Sequence, residues 1–352
     1  MEARSAPELP RGAGWQYEPK WDGFRCIARR AGGKVELLGR SGKDLSRYFP
    51  DVAANLARLK AKHFRLDGEL VIPVDNVLSF DALQMRLHPA ASRVARLAAE
   101  HPARLIAFDA LEIGRRSLRD EPLAVRRELL EAFFGTVPEE AGLLLSPRTT
   151  RRAIATAWLR RAGSGALDGI VAKRLDQPYL AGERAMIKVK CLRTADCVVG
   201  GFRLSGDGHE VGSLLLGLYD EDGKLDHVGF TTNFSEEAQK RVKALKGGSG
   251  FSGDAPGGPS RWSTERSAQW VPVTPKLVVE VQYDQVTGDR FRHATRFLRW
   301  RPDKRPEDCT FHQLRQEARP SRLMAGLGTS ALTSKSAHRS TCRRSGRSPP
   351  SR

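Results

Sequence analysis

Cysteine is scarce in this chain of 352 residues: Cys26, Cys191, Cys197, Cys309 and Cys342, an odd number with no Cys-x-x-Cys pair. That argues against a disulfide framework and the common zinc-ligand spacings, and it fits a reducing, intracellular compartment. No apolar run approaches the ~20 residues that cross a bilayer, so no membrane partner is expected. Met1 to Gly14 lacks the basic-then-apolar pattern of a secretory leader, which makes the cytoplasm the expected location. Acidic residues are missing from 318–352, a stretch rich in Ser, Arg and Pro that holds too little apolar surface to fold. No internal repeat is present.

Positive charge and core-forming residues are plentiful. Net charge is +18 and hydrophobic residues make up 40%. Eight of the Lys/Arg lie in 318–352, which leaves +10 for the remainder. A chain this basic is commonly neutralised by a polyanion, so nucleic acid is modestly favoured over an anionic membrane surface. A basic tail on an ordinary domain is the plainer alternative. The length suits two domains better than one.

Patterning divides the chain near residue 191. Extended runs are expected in "WQYEPKWDGFRCIARR" about a turn at Asp22–Gly23, in "GGKVELLGR", "FRLDGELVIPV", "RLIAFDALEI", "LDGIVAKR" and "AMIKVKC". Helical spacing marks 44–62, 79–100, 126–134 and 151–162. From about 196 to 317, short strands separated by Gly, Asp and Asn clusters predict a small barrel or sandwich, interrupted by a helix near 235–246 and a loop at 247–260.

Lys20-Trp21-Asp22-Gly23-Phe24-Arg25 carries the sharpest chemical signal. Asp-Gly between apolar runs is a hairpin turn, and a match this short is usually accidental. The functional reading makes Lys20 a nucleophile. Its amine must then be neutral, which crowding by cations promotes; Arg25, Lys188 and Lys190 are the candidates.

Six further segments decide between these readings: Gly39-Arg40-Ser41-Gly42-Lys43, Asp67-Gly68-Glu69, Phe108-Asp109-Ala110-Leu111, Asp168-Gly169-Ile170-Val171-Ala172-Lys173, Lys188-Val189-Lys190 and Arg299-Trp300-Arg301-Pro302-Asp303-Lys304. Together with the lysine motif they stand in one order over Tyr17 to Leu314. The chain thereby resembles the covalent nucleotidyltransferase superfamily, and within it the compact bacterial ATP-dependent DNA ligases called ligase C. The resemblance implies an α+β fold: a nucleotidyltransferase (adenylation) domain of antiparallel sheets with flanking helices over 1–190, then an OB-fold β-barrel over 191–317. Residues 318–352 are expected from their composition to be a basic, disordered tail.

The resemblance also implies roles. Lys20 attacks the α-phosphorus of ATP, the AMP passes to the 5′-phosphate of nicked double-stranded DNA, and the 3′-hydroxyl then displaces it. Glu18, two residues before Lys20 and on the same strand face, reads the adenine amino edge. Phe108 stacks on the ring. Arg25 and Arg40 bind phosphate and ribose oxygens with their planar forks. Arg184 lies near the nucleotide, and Lys188 and Lys190 meet the α-phosphate. Glu69 and Asp168 hold a divalent metal, Mg2+ or Mn2+; Glu69 also lies near the ribose. Asp168 departs from the Glu of many relatives, and Met186 stands where many have Trp, so no stacking role is carried over to it. Arg299, Arg301, Asp303 and Lys304 contact the pyrophosphate when the barrel closes about a hinge at 191–196. A monomer with a role in DNA repair is expected.

Each residue has an ordinary alternative: strand-end carboxylates, a core phenylalanine, a solvated lysine face. RNA ligases and mRNA capping enzymes share several of these motifs, and a degenerate DNA-binding protein could retain some of them. An NAD-dependent ligase needs an extra N-terminal module and usually carries zinc-ligand cysteines. The start "MEARSAPELP" lacks the Pro-Met-Leu-Ala-like stretch that relatives carry before the lysine motif, so the strand flanking the nucleotide pocket is expected to be missing or shortened.

Overall fold

Period-two burial builds the first sheet: along β3 (Phe24–Ala31), Cys26, Ala28 and Arg30 are buried while their neighbours are half-exposed. The computed structural model describes residues 1–74, 77–160, 162, 167–205, 208, 210–257 and 269–315. The basic stretch 318–352 and the end of the 247–260 loop lie outside them.

Strands β1 (Ala3–Ser5), β2 (Trp15–Trp21), β3 and β4 (Lys34–Gly39) precede helix α1 (Pro50–Arg58). Next come β5 (His63–Val71), the short β6 (Pro73–Val74) and β7 (Val77–Leu78), α2 (Phe80–Arg86) and α3 (Ala91–Glu100). Then follow β8 (Arg104–Ile113), β9 (Arg116–Ser117), α4 (Leu123–Phe134), β10 (Leu143–Leu145), α5 (Arg152–Arg160), β11 (Leu167–Arg174) and β12 (Met186–Lys190). One sheet has the order β10-β8-β5-β3-β4, with β9 on β8; a second has the order β1-β12-β11-β2. Both are antiparallel except at two edges, where the three-residue strands β10 and β1 run parallel to β8 and β12. The helix expected over 44–62 begins only at Pro50, whose fixed φ suits a first helical turn. The helix expected over 79–100 is two helices broken around Pro89.

A strand does flank the second sheet at the start of the sequence, three residues long. β1 pairs Ala3 with Met186 and Ser5 with Lys188, so the first residues of the chain flank the strand that carries the later lysines. Backbone pairing needs no particular side chains, so this strand forms without the Pro-Met-Leu-Ala pattern.

The second unit contains β13 (Arg193–Leu204), β14 (Val211–Tyr219), β15 (Leu225–Thr232), α6 (Glu236–Lys243), β16 (Val271–Pro272), β17 (Val278–Tyr283), β18 (Val286–Thr287), β19 (Arg290–Phe291) and β20 (Thr295–Trp300). The path β13-β14-β15-β20-β17 returns to β13, closing a five-stranded barrel of the OB type. Val198, Leu214, Leu216, Val279 and Val281 fill its core, apart from the core that Phe49, Leu66, Leu105 and Leu130 form in the first unit. Only Cys191 and Leu192 lie between β12 and β13, because residues 193–196 of the expected hinge belong to β13.

Close backbone approach explains one of the Asp-Gly pairs. Gly169 has φ 150°, and a Cβ there would lie 2.1 Å from the Val189 carbonyl oxygen on the neighbouring strand. Gly169→Ala should lower stability by roughly 2–4 kcal/mol, read as a shifted urea midpoint. An unchanged midpoint would show that β11 and β12 can separate freely.

Candidate active site

The two sheets of the first unit face each other across a cavity of about 730 Å3, within the usual size for a small-molecule site. One wall comes from β2, β11 and β12, which supply Glu18, Lys20, Val171, Lys173, Met186 and Lys188; the other comes from β3, β5 and β8, which supply Arg25, Glu69 and Phe108. Alternation along each strand puts residues two apart on the same wall. Arg40 and Glu2 sit on the lining too.

At the end of β2, the Lys20 amine donates to Asp168 Oδ2. The same oxygen lies 3.4 Å from Lys190 Nζ. Asp168 is 4% exposed, and its Oδ1 is buried with no hydrogen-bond partner among the described residues. Cation crowding is real but falls on Lys188: burial, Lys190 and Lys20 lower its pKa. For Lys190, burial acts downward, yet Asp168 and Asp284 outweigh it and raise the pKa. Lys190 does not line the cavity; it donates to Asp284 of the barrel at 2.6 Å.

Glu18 is 2% exposed and accepts from Gln16 Nε2 at 2.6 Å and Lys173 Nζ at 2.8 Å. Arg25 lines the cavity, but its guanidinium is engaged: Nε and Nη2 donate to Asp67 at 3.0 and 2.6 Å, and Nη1 donates to the Met1 carbonyl. Tyr179 Oη donates to the same Asp67 at 2.8 Å. Phe108 presents its ring to the cavity, with Lys173 Nζ 4.6 Å and Arg25 Cζ 5.9 Å from the ring centroid. Arg40 donates to Glu2 at 2.8 and 3.2 Å. Arg184 is exposed and off the cavity lining, yet near enough to help lower the Glu2 carboxyl after the larger effect of Arg40.

Glu69 forms no side-chain hydrogen bond among the described residues. Burial pushes its carboxyl up to about 8, against the opposing pull of Lys20 and Arg25. Between its ordinary value of 4.5 and about 8, the folded protein holds a proton there that the unfolded chain has released, so stability falls as pH rises through that window. Glu69→Gln should therefore gain on the parent protein by on the order of 1–2 kcal/mol from pH 5 to 9 in paired thermal melts. Parallel curves would show that the carboxyl titrates normally.

The structure brings together Glu18, Lys20, Arg25, Arg40, Glu69, Phe108 and Lys188. It does not bring Arg299, Arg301, Asp303 or Lys304 to the cavity. Arg299 pairs with Glu280 at 2.6 Å, and Arg301 with Asp196 and Asp303 at 2.9 Å each. The reason is how the barrel docks. Arg292 Nη1 donates to both Asp22 oxygens at 2.6 and 2.7 Å, and Asp284 holds Lys190, so the segment after β17, not the one after β20, meets the first unit. Burial alone would raise the Asp284 carboxyl, but Lys190 and His293 hold it down to about 2.

Sequence reasoning missed Lys173, Asp67, Tyr179, Glu2, Asp284 and Arg292 as site neighbours. Lys173 was accessible in principle, because it alternates with Val171 on one strand. Asp67 too stands in the Asp67-Gly68-Glu69 motif on β5; Tyr179, Glu2, Asp284 and Arg292 come from distant segments, and no local spacing announces them.

Among the described residues, no three His, Cys, Asp or Glu side chains form a metal-binding cluster. The orphaned Asp168 Oδ1 and the unpartnered Glu69 carboxyl nevertheless fit a magnesium-type ion, which typically takes one or two carboxylates and completes its shell with water and substrate phosphate.

The folded pair of units and the lysine-bearing cavity define a nucleotidyltransferase joined to an OB barrel. Comparison with known proteins carries this further. The ATP dependent DNA ligase domain family matches residues 5–190, and the ATP dependent DNA ligase C terminal region matches 207–304. DNA ligase C1 of Mycolicibacterium smegmatis is 45% identical over 331 residues, covering 89% of this chain and 92% of that protein. The multifunctional non-homologous end joining protein LigD of the same organism is 30% identical over 311 residues, covering 84% of this chain and 37% of that protein. A solved structure from work on Lig E DNA ligases superposes with TM-score 0.51 at 21% identity, covering 82% of this chain and 93% of that one, which shows the shared fold. The chain belongs to the ATP-dependent DNA ligase family. Within that family it is a bacterial enzyme of the ligase C type, using ATP and acting on DNA.

Proposed function

We propose that this ligase seals nicks bearing a 5′-phosphate and a 3′-hydroxyl in duplex DNA through a covalent adduct of AMP on Lys20. The observation that carries the reading is the Lys20 amine at a cavity whose lining combines a buried acceptor, Glu18, an aromatic face, Phe108, and a second cation, Lys188. Glu18 accepts from the adenine amino group, and Phe108 and Val171 hold the ring. Lys188 and Arg40 take phosphate oxygens, while Arg25, fixed by Asp67, borders the ribose side. Arg184 approaches the nucleotide if its loop folds inward. Lys20 attacks the α-phosphorus and pyrophosphate leaves. The 5′-phosphate of the nick then displaces Lys20 from the AMP, and the 3′-hydroxyl finally displaces AMP. Positioning and charge neutralisation dominate such in-line transfers.

Glu69 and Asp168 would hold a divalent metal, Mg2+ or Mn2+, which neutralises phosphate charge when bound. We assign the adenylation domain to 1–190 and the OB domain to 191–317, followed by the basic stretch 318–352. Rotation of the barrel about Cys191–Leu192 would release Arg292 and Asp284 and carry Arg299, Arg301, Asp303 and Lys304 to the pyrophosphate. The protein acts as a monomer, and its similarity to an end-joining protein supports a role in DNA repair.

Incubation with ATP and Mg2+ followed by intact-mass measurement tests the class of chemistry. The expected result is a mass gain of one AMP, discharged by pyrophosphate or by nicked DNA. An unchanged mass at saturating ATP would overturn the proposal.

A further inference from the structure

Lys173 is a buried cation that the reaction steps above do not use. It lies on the cavity lining and is 4% exposed. Its amine makes three contacts: Glu18 Oε2 at 2.8 Å, the Phe108 carbonyl at 3.4 Å, and the Phe108 ring face at 4.6 Å from the centroid. One side chain on β11 thus ties together β2 and β8, the two strands that supply the groups facing the base.

A buried carboxylate needs a countercharge. Arg148 is near enough to sense Glu18, but its guanidinium is committed to Glu131 at 2.7 and 3.2 Å. Gln16 supplies a neutral hydrogen bond to Glu18 Oε1. Lys173 is therefore the charge in direct contact with Glu18. An ionised carboxylate only accepts hydrogen bonds, whereas a protonated one also donates. An acceptor-only group favours the exocyclic amine of adenine and repels the carbonyl oxygen that guanine carries at the same edge.

We propose that Lys173 sets the base preference of this site, acting as a positioning residue that supplies the countercharge to Glu18 and fixes it as an acceptor relative to the Phe108 ring. This rests on the reading of Glu18 as the group that meets the base edge.

The test measures adenylation and guanylation of the full chain with α-labelled ATP and GTP, reading kcat and KM for each. The ratio of the two specificity constants is taken within one preparation, so the folded fraction cancels. Lys173→Met removes charge and donor, Lys173→Gln removes charge but keeps a donor, and Lys173→Arg keeps both. The ATP:GTP ratio should fall at least tenfold in the Met and Gln variants, chiefly through a higher KM for ATP, and stay within threefold of the parent in the Arg variant. If Lys173→Met does not fold, the Gln variant carries the comparison. A ratio held within twofold in the neutral variants, or equal losses for both nucleotides in all three, overturns the proposal. Glu18→Gln separates the two levels: a changed ratio there with an unchanged one in the Lys173 variants sinks only the role of Lys173. An unchanged ratio in Glu18→Gln sinks the reading of Glu18 as well.

Discussion

Lys20→Ala should abolish labelled AMP–protein formation and reduce nick sealing from ATP by at least about 10³-fold, or roughly 4 kcal/mol of barrier. The reason on the proposed mechanism is covalent: the amine is the atom that takes the AMP, so no neighbour replaces it. Lys188 also lines the cavity and has a lowered pKa, but it stands on another strand, β12. The same variant should still seal a nick supplied already adenylated, because that last displacement uses the DNA 3′-hydroxyl and not the lysine. Gel labelling with α-labelled ATP, run beside sealing of a pre-adenylated nick, checks both halves. An adduct persisting in the variant would remove Lys20 from its role.

Asp168→Asn distinguishes two uses of one carboxylate. Asp168 pairs with Lys20 and lies 3.4 Å from Lys190, and its second oxygen is buried and unpartnered. An ion pair alone occupies the Lys20 amine and so restrains its attack. On that account, removing the charge would speed adenylation near neutral pH. If the free oxygen instead takes a metal that neutralises the triphosphate, removal should slow adenylation about 100-fold or more, because charge neutralisation dominates phosphoryl transfer. We expect the slowing. A faster single-turnover rate in Asp168→Asn would assign the carboxylate to restraint only. Asn is nearly isosteric, so loss of the fold should not obscure the result.

Much of this architecture was legible along the chain. β3 alternates buried and more exposed residues, β2, β8 and β11 are buried along most of their length, and the barrel strands are separated by Gly, Asp and Asn. Glu69, Phe108 and Lys188 were legible because each sits in a short motif whose residues share a strand, and Lys20 because its motif spans a single tight turn. The helix boundaries at Pro50 and around Pro89 were read too broadly, because helical spacing continues across residues that cannot extend a helix. β1 was not foreseen, since strand pairing at a sheet edge is made by backbone groups that leave little mark on side-chain identity.

By itself the sequence determined which chemistry the chain can do: a lysine in a strand-turn motif, carboxylates and cations at set intervals, and apolar periodicity that forces strands. Local order suffices for that, because motif residues lie within a few positions of one another. Tertiary structure alone decided the company each residue keeps. It paired Lys20 with Asp168 and Glu18 with Lys173, committed Arg25 to Asp67, and turned Arg299 and Arg301 toward barrel carboxylates while Arg292 met Asp22. Such pairings cross 19 to 270 positions of chain, and only the packing of sheet on sheet and barrel on sheet brings those charges within a few ångströms.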